Sequence, residues 1–272
     1  KLLEPGLPRG FEDSFGKSLV IEKKIKEIIE KNFLKYGYAE IKTSPFEYSE
    51  NIGGFLTDDL DNISKDIFTF DDKDKKISLR FDLSAPLARV VSEKYLEFAF
   101  PFRRFQIAEV FRNETSKTGR GRYRSFFQGD FDQIFSGKVP PQANAEIVQI
   151  IRDTMLDLKF KKEQFKINIF NRKIIEGLLN DLKIKDEKQR FKVLRAIDKF
   201  DRIDKNFIDL LKKERIDPVS GDKISGANLS DEQASIIIDF LKLKDLKNLK
   251  SNCTNDLQKE GIKELEEILE IL

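Results

Sequence analysis

The chain has 272 residues, 36% of them charged, yet Lys+Arg 50 against Asp+Glu 48 leave a net charge of only +2. That length holds one large domain or two modest ones with ample core, and the near balance excludes a polycationic nucleic-acid binder, so any RNA contact must come from a local patch. Histidine is absent and Cys253 is the lone cysteine, which excludes a disulfide framework, Cys or His metal sites, and Ser-His or Cys-His nucleophile activation. Chemistry in such a chain rests on positioning and electrostatics. No apolar run is long enough to span a bilayer and no signal-peptide pattern opens the chain, so the expectation is a cytoplasmic protein without a membrane partner.

In chain order, Ile21, Ile25, Ile28, Ile29 and Phe33 recur at helical spacing among lysines and glutamates, predicting an amphipathic helix over 19–34. Residues 66–70 and 76–80 flank an Asp/Lys-rich turn and read as a hairpin. A helix follows over about 83–94, with Pro86 tolerated near its first turn. The strand-like run 104–111 ends at Phe111-Arg112-Asn113-Glu114, and a second run opens at Arg120 and extends to Asp132. The turn-rich Thr115–Gly119 lies between them. Pro140-Pro141 breaks the chain before a helix carrying Ile147, Ile150, Ile151, Met155 and Leu158 on one face. Phe165–Phe170 has strand alternation. After Asn171 strand-like runs nearly vanish, and Phe191, Leu194, Ile197 and Ile236, Ile237, Phe240, Leu241 keep helical spacing. Gly221 and Gly226 mark a loop, and Ser230 with Gln233 is placed to cap the next helix reciprocally. The boundary is expected near Arg172: an antiparallel α+β part over 1–171, then a helical module over 172–272.

The hairpin at 104–132 carries the chemistry. Side chains at i and i+2 of a strand share a face, which puts Arg112 with Glu114, and Phe126, Gln128, Asp130 and Asp132 together. Phe127, Phe131 and Phe135 go to the opposite face, where they can pack. One face therefore offers a cation, acceptors and an aromatic plate, suited to a charged ligand with a flat ring. A solvated hairpin with a charged outer face would show the same alternation, so the residue types have to decide.

Arg112-x-Glu114, a basic loop, then Arg122-x-x-x-Phe126 resembles motif 2 of the class II aminoacyl-tRNA synthetases, and the string from Arg120 to Asp132 is similar to the histidyl-tRNA synthetase version. Lys35-Tyr36-Gly37-Tyr38 with Pro45-Phe46-Glu47 resembles motif 1. Leu79-Arg80-Phe81-Asp82-Leu83-Ser84-Ala85-Pro86-Leu87-Ala88-Arg89 is similar to the family's Leu-Arg-x-Asp-Leu-Thr-x-Pro-x-Ala-Arg segment, with Ser84 in place of threonine. Pro8–Asp13 also resembles the family's opening.

The resemblance implies an α+β fold, a class II synthetase-like antiparallel sheet with flanking helices, followed by a helical insertion domain. It implies ATP-dependent activation of histidine and transfer to its tRNA, with Mg²⁺, in a homodimer joined partly through motif 1. Arg112 would be catalytic, holding the ATP α-phosphate and the substrate carboxylate. Glu114 would accept from the adenine amino group, Phe126 would stack on adenine, and Arg122 would reach the γ-phosphate. Asp82, Ser84, Gln128 and Asp132 would form the histidine pocket, the last near the imidazole. Lys117, Arg120 and Arg124 would approach the acceptor end of the tRNA. No protein-held metal site is expected, and Arg89 reads equally well as a structural helix cation.

The family's motif 3, its Arg-Gly-Leu-Asp-Tyr-Tyr-Thr-Gly signature and its anticodon-binding domain do not occur in this sequence. The expectation is thus an N-terminal portion carrying half of an active site. A histidine-binding regulatory subunit of ATP phosphoribosyltransferase, a synthetase paralogue that does not aminoacylate, is the alternative.

Overall fold

The computed structural model describes residues 4–56, 67–113, 123–198, 200, 207–213, 215–216, 223–224, 226–243 and 245–272. The chain divides into two compact units, Lys1–Lys166 and Ile167–Leu272.

The first unit is organised by strands β5 (Phe102–Phe111) and β6 (Ser125–Ile134). They pair antiparallel without a bulge, from Phe102 opposite Ile134 to Phe111 opposite Ser125. The short β1 (Ala39–Glu40) adds to β5 in parallel, so this sheet is mixed rather than purely antiparallel. Alternation gives the hairpin one apolar face. Phe105 and Phe131 lie directly opposite each other on it and meet Phe33, whose ring centroid is 5.2 Å and 4.7 Å from theirs. Tyr38 and Ile150 close this core, both essentially inaccessible.

Two helices supply that cover. Helix α1 (Lys17–Lys35) extends the expected 19–34 by one or two residues at each end and stops at Gly37, whose φ of 77° suits a residue without a β-carbon. Its buried end is the C-terminal one, at Asn32 and Phe33. Val20 and Ile21 are more than half exposed, so the apolar stripe is covered only along part of its length. Helix α4 (Pro141–Asp157) starts on a proline, as its missing N–H allows. Asp153 on α4 accepts from Lys35 Nζ at 3.0 Å and Tyr36 Oη at 2.9 Å. The Lys35 ammonium holds the Asp153 carboxyl down to about 2.

A second sheet, in the order β2-β4-β3, joins β2 (Phe46–Tyr48), β4 (Lys75–Leu79) and β3 (Thr69–Asp72). The hairpin expected at 66–80 is therefore present. Helices α2 (Ser49–Leu56) and α3 (Ser84–Glu93) accompany it. Buried Glu47 of β2 receives the Arg89 fork at 2.6 and 2.9 Å, so Arg89 is the structural cation. Arg80 ties the two sheets together. Its Nε donates to the Glu109 carbonyl at 2.7 Å and its Nη1 to the Thr43 carbonyl at 3.2 Å. The Arg80 carbonyl accepts from Phe111 N–H.

Residues 165–170 keep their alternation, with Phe165, Ile167 and Ile169 partly covered and Lys166, Asn168 and Phe170 exposed, yet they form no strand. The expectation of a strand there is corrected. A ladder needs a neighbour, and none among the described residues pairs with this stretch.

The second unit is helical. It contains α5 (Arg172–Asp181), α6 (Glu187–Ile197), α7 (Phe207–Lys212), α8 (Asp231–Leu241), α9 (Leu246–Asn252) and α10 (Asp256–Ile271), with a two-stranded ribbon of β7 (Arg215–Ile216) and β8 (Lys223–Ile224). Asn171, Asp186, Ser230, Asp245 and Asn255 each cap a helix by accepting a backbone N–H. Ser230 and Gln233 make the reciprocal box the sequence suggested. On α6 the buried positions are Val193 and Ala196, whereas Phe191 is 38% exposed. The centre of the buried stripe is thus shifted by one residue, about 100° of helix or less, and Leu194 and Ile197 remain partly buried against the same core.

Helices α5 and α10 approach closely at two glycines. A β-carbon at Gly177 would overlap Gln258 Cγ and lie 2.7 Å from Asn255 Oδ1. Those two side chains form the cap of α10 and cannot easily yield. Gly177→Ala is accordingly expected to lower the unfolding free energy by about 1–3 kcal/mol, read from the urea midpoint. Gly137→Ala, whose β-carbon meets nothing within 4 Å, is the control and should stay within about 0.5 kcal/mol. Equal midpoints for the two variants would show that the helices have slack at this crossing.

Candidate active site

The face of the β5–β6 hairpin turned away from α1 carries the candidate site residues on its strands. Its register puts Arg104 opposite Asp132, Gln106 opposite Asp130, Ala108 opposite Gln128 and Val110 opposite Phe126. At a rise of 3.3 Å per residue, Phe126 and Asp132 stand about 20 Å apart along the strand. The face is therefore long enough for two adjoining ligands, and its ends differ in charge.

One end is cationic and aromatic. The Arg112 backbone N–H continues the ladder by donating to the Arg124 carbonyl at 2.8 Å. Its side-chain Nε donates to the Phe81 carbonyl at 3.3 Å. The guanidinium carbon sits 4.4 Å from the Phe81 ring centroid and 5.0 Å from that of Phe126. Planar cations stack on such rings, so Arg112 and Phe126 are held side by side before any ligand arrives.

The other end is acidic around a buried cation. Arg104 has no solvent-accessible surface, and its Nη2 pairs with Asp130 at 3.0 Å and with Asp132. Asp82, just ahead of α3, uses one carboxylate oxygen to accept the Ala85 N–H at 2.9 Å, which favours the start of that helix. Ser84 is the exposed first residue of α3. Burial pushes the Asp132 carboxyl up from its ordinary value. Asp130 and Asp82 push it in the same direction, and Arg104 pulls it back. Arg104, Asp130 and Asp82 thus all bear on Asp132.

The structure thus brings Arg112 beside Phe126, and Asp82 near Asp132, on one continuous face that also presents Gln128. The backbone of Arg124 is fixed by Arg112 and by Gly10, whose carbonyl accepts its N–H at 2.7 Å. Glu114, Lys117, Arg120 and Arg122 lie outside the described residues. Arg104 and Gln106 escaped the sequence reading, although the same i, i+2 rule that grouped Asp130 with Asp132 links them to Arg112. Pairing the two strands in register would have set the cation against the acids.

One expectation is corrected. Phe127 points to the α1 side with Phe131, as alternation requires, but it is 46% exposed. Lys26 Nζ of α1 lies 2.9 Å from its ring centroid. Phe127 sits at the rim of the core, above the uncovered part of α1, whereas Phe131 packs between Phe33 and Tyr38.

The chain is similar to known proteins along nearly all of its length. The family model described as "Histidyl-tRNA synthetase" matches residues 10–218. The histidine–tRNA ligase of Pelagibacter ubique is 53% identical over 99% of this chain and 58% of its own length. That of Ruegeria pomeroyi is 34% identical over 97% and 55%. The chain therefore spans a little over half the length of these curated relatives. Among solved structures, histidyl-tRNA synthetase from Nostoc sp. PCC 7120 superposes with a TM-score of 0.75 at 23% identity, covering 99% of this chain and 58% of that one. A protein of Bacillus halodurans C described as an ATP phosphoribosyltransferase regulatory subunit/histidyl-tRNA synthetase gives the same TM-score at 20% identity, covering 100% and 66%. At these identities the two structures speak for the fold alone.

The two phenylalanines test the assignment of faces. Phe131, partly buried but packed on the Phe33–Phe105 cluster, is expected on truncation to alanine to cost about 2–3 kcal/mol in thermal or urea unfolding, somewhat below the loss for a fully buried ring. Phe127→Ala should cost no more than about 1 kcal/mol, the scale of an exposed cation–π contact. A larger loss at Phe127 than at Phe131 would show that the core lies elsewhere than in the Phe33–Phe105–Phe131 cluster.

Proposed function

The chain belongs to the histidyl-tRNA synthetase family, and from that premise we propose that its full-length protein activates histidine with ATP and transfers it to tRNA. The observation that carries this reading is the polarity of the hairpin face, cationic and aromatic at Arg112 and Phe126, acidic at Asp82, Asp130 and Asp132. A zwitterionic amino acid with a nitrogen-rich ring needs acceptors. A nucleotide needs a cation and a stacking surface.

In the proposed reaction a carboxylate oxygen of histidine attacks the α-phosphorus of ATP. The bond to the β-phosphate oxygen breaks, pyrophosphate leaves with the electron pair, and histidyl adenylate remains. The tRNA hydroxyl then displaces AMP at the carbonyl carbon. No protein nucleophile takes part, which suits a chain without histidine. Arg112 holds the attacking carboxylate and the α-phosphate together and neutralises charge as it builds. Phe126 stacks on adenine beside it. Glu114 accepts from the adenine amino group and Arg122 reaches the γ-phosphate. Asp82, Ser84 and Gln128 serve the α-amino group, and Asp132 the imidazole. Lys117, Arg120 and Arg124 approach the acceptor end of the tRNA through its phosphates.

Mg²⁺ belongs with the triphosphate in this scheme, since such ions bind through substrate phosphates more than through protein cages. Among the described residues no group of three or more His, Cys, Asp or Glu side chains is placed to hold a metal ion by itself. The residues 1–166 unit corresponds in the proposal to the first part of the catalytic domain and the helical unit to the insertion domain. Two copies associate partly through the segment from Lys35 to Glu47, and the reaction is cytoplasmic.

Full-length protein is expected to form histidyl adenylate from histidine and ATP. Arg112→Ala should lower histidine-dependent pyrophosphate exchange by about 10²–10³, with a loss of stability of only about 1–2 kcal/mol, the scale of its Phe81 hydrogen bond and ring contacts. Calorimetry with each ligand separates the alternatives. Histidine binding with neither ATP binding nor adenylate would sink the synthetase reading and leave a histidine-binding regulatory subunit.

A further inference from the structure

Arg104 is the largest side chain among the fully buried ones. Its Nη2 donates to Asp130 Oδ2 at 3.0 Å and lies in ion-pair contact with Asp132 Oδ2, while its own Nε and Nη1, and Asp132 Oδ2 itself, are buried without a hydrogen-bond partner among the described residues. Directly along the same strand, Gln106 accepts from Thr43 Oγ1 at 3.0 Å, and its Nε2 is likewise buried and unpartnered. Unmet donors of this kind weigh against the fold. An apolar residue facing a neutral partner would fill the same space more stably. The arrangement makes sense if the cation serves the acids it faces rather than the core.

We propose that Arg104 is a positioning residue for amino-acid specificity: one buried guanidinium grips Asp130 and Asp132 together and holds the Asp132 carboxylate in a single orientation as the acceptor for the imidazole N–H. This rests on the assignment of Asp132 to the histidine pocket under the proposed function. The two strands make it geometrically sound. Arg104 and Asp132 are direct cross-strand neighbours and Asp130 is the diagonal one, so the single Nη2 of a guanidinium rooted on β5 reaches both. Asp132 keeps 34% of its side-chain surface accessible while Arg104 keeps none, so the acid faces the ligand and the base is sealed behind it.

The charged groups bearing on Asp132 are Arg104 from β5, Asp130 from β6 and Asp82 from the turn before α3. Both acids favour the protonated form, as does burial, and Arg104 alone opposes them. Removing that cation moves the loss of the carboxylate to higher pH. Histidine recognition by such a variant then fails at a higher pH on acidification than in the parent. The titration of histidine itself is common to both and cancels in the comparison.

The test uses full-length protein, with KM for histidine and for ATP measured from pH 6 to 8 in pyrophosphate exchange. Arg104→Met is expected to raise the histidine KM about tenfold or more at pH 7, the scale of one hydrogen bond to a charged group. The ATP KM should stay within about twofold, and the acid limb of the histidine profile should shift upward. Arg104→Lys keeps the charge but not the fork, so it should fall between the two and restore most of the acid limb. It carries the test alone if the methionine variant does not fold. An unchanged histidine KM and profile, or parallel rises in both KM values, would overturn the proposal in favour of a purely structural arginine. Parent protein with no histidine-dependent exchange would instead remove the functional reading on which the proposal stands.

Discussion

The bulge-free register of β5 against β6 is the constraint from which the rest of the first unit follows. Because side chains alternate with a period of two, a slip of one residue would send Asp130 and Asp132 into the Phe33 core and Phe131 out to the opposite face. The register is enforced from both sides. On one side, Phe105 and Phe131 are locked against Phe33 and Tyr38. On the other, the Arg104 pairs can form only when Asp132 stands opposite it. Packing and electrostatics select the same alignment, and such agreement across levels specifies a single structure.

Much of this was legible in the sequence because it is periodic or local. The i, i+2 rule sorted Phe126, Gln128, Asp130 and Asp132 from Phe127 and Phe131. Ser230 and Gln233 announced their box three residues apart, a contact that needs no tertiary information. What could not be read depends on neighbours remote in sequence. Alternation told which way Phe127 points, but only the placement of α1 decides that it ends beneath Lys26 at a rim. Residues 165–170 kept their two-residue pattern and lacked a partner strand. On α6, Phe191 fits a helical stripe on paper, and yet the surrounding helices cover Val193 and Ala196 instead. Arg104 is the most instructive case. In a chain so rich in charge a single arginine carries no signal until the facing strand shows what it meets.

The two units also differ in what specifies them. Among the described residues, the helical unit states its boundaries residue by residue through five side-chain caps, each close to its helix in sequence. Its close approach of α5 and α10 at Gly177 and Gly261 is permitted by the missing β-carbons. The first unit leans on long-range polar ties instead. Arg80 bridges 29 residues to the Glu109 carbonyl, and Arg89 bridges 42 residues to Glu47. A family that varies one unit and preserves chemistry in the other would show this division, since caps tolerate exchange among Ser, Asp and Asn whereas a guanidinium fork aimed at two acceptors does not.

Charge along the hairpin supplies the last step. Asp130 and Asp132 pair with one buried guanidinium at the Asp132 end and Asp82 bears on Asp132, so carboxylates outnumber the cation there. Arg112 stands near the far end, with its cation spread over two aromatic faces. A ligand pair lying on this surface is therefore oriented by the field before any specific bond forms. On the proposed reading, the ammonium and imidazole of the amino acid are drawn to the acids, and its carboxylate is left pointing toward Arg112. The phosphates of the nucleotide meet the same cation from the other side. The reacting oxygen and phosphorus are thus brought together where the two opposite demands converge, and the protein needs no nucleophile or general base of its own. Electrostatic placement of this kind costs little reorganisation during the reaction. Its cost is borne instead by the fold, in the buried donors of Arg104 and Gln106 that find no partner.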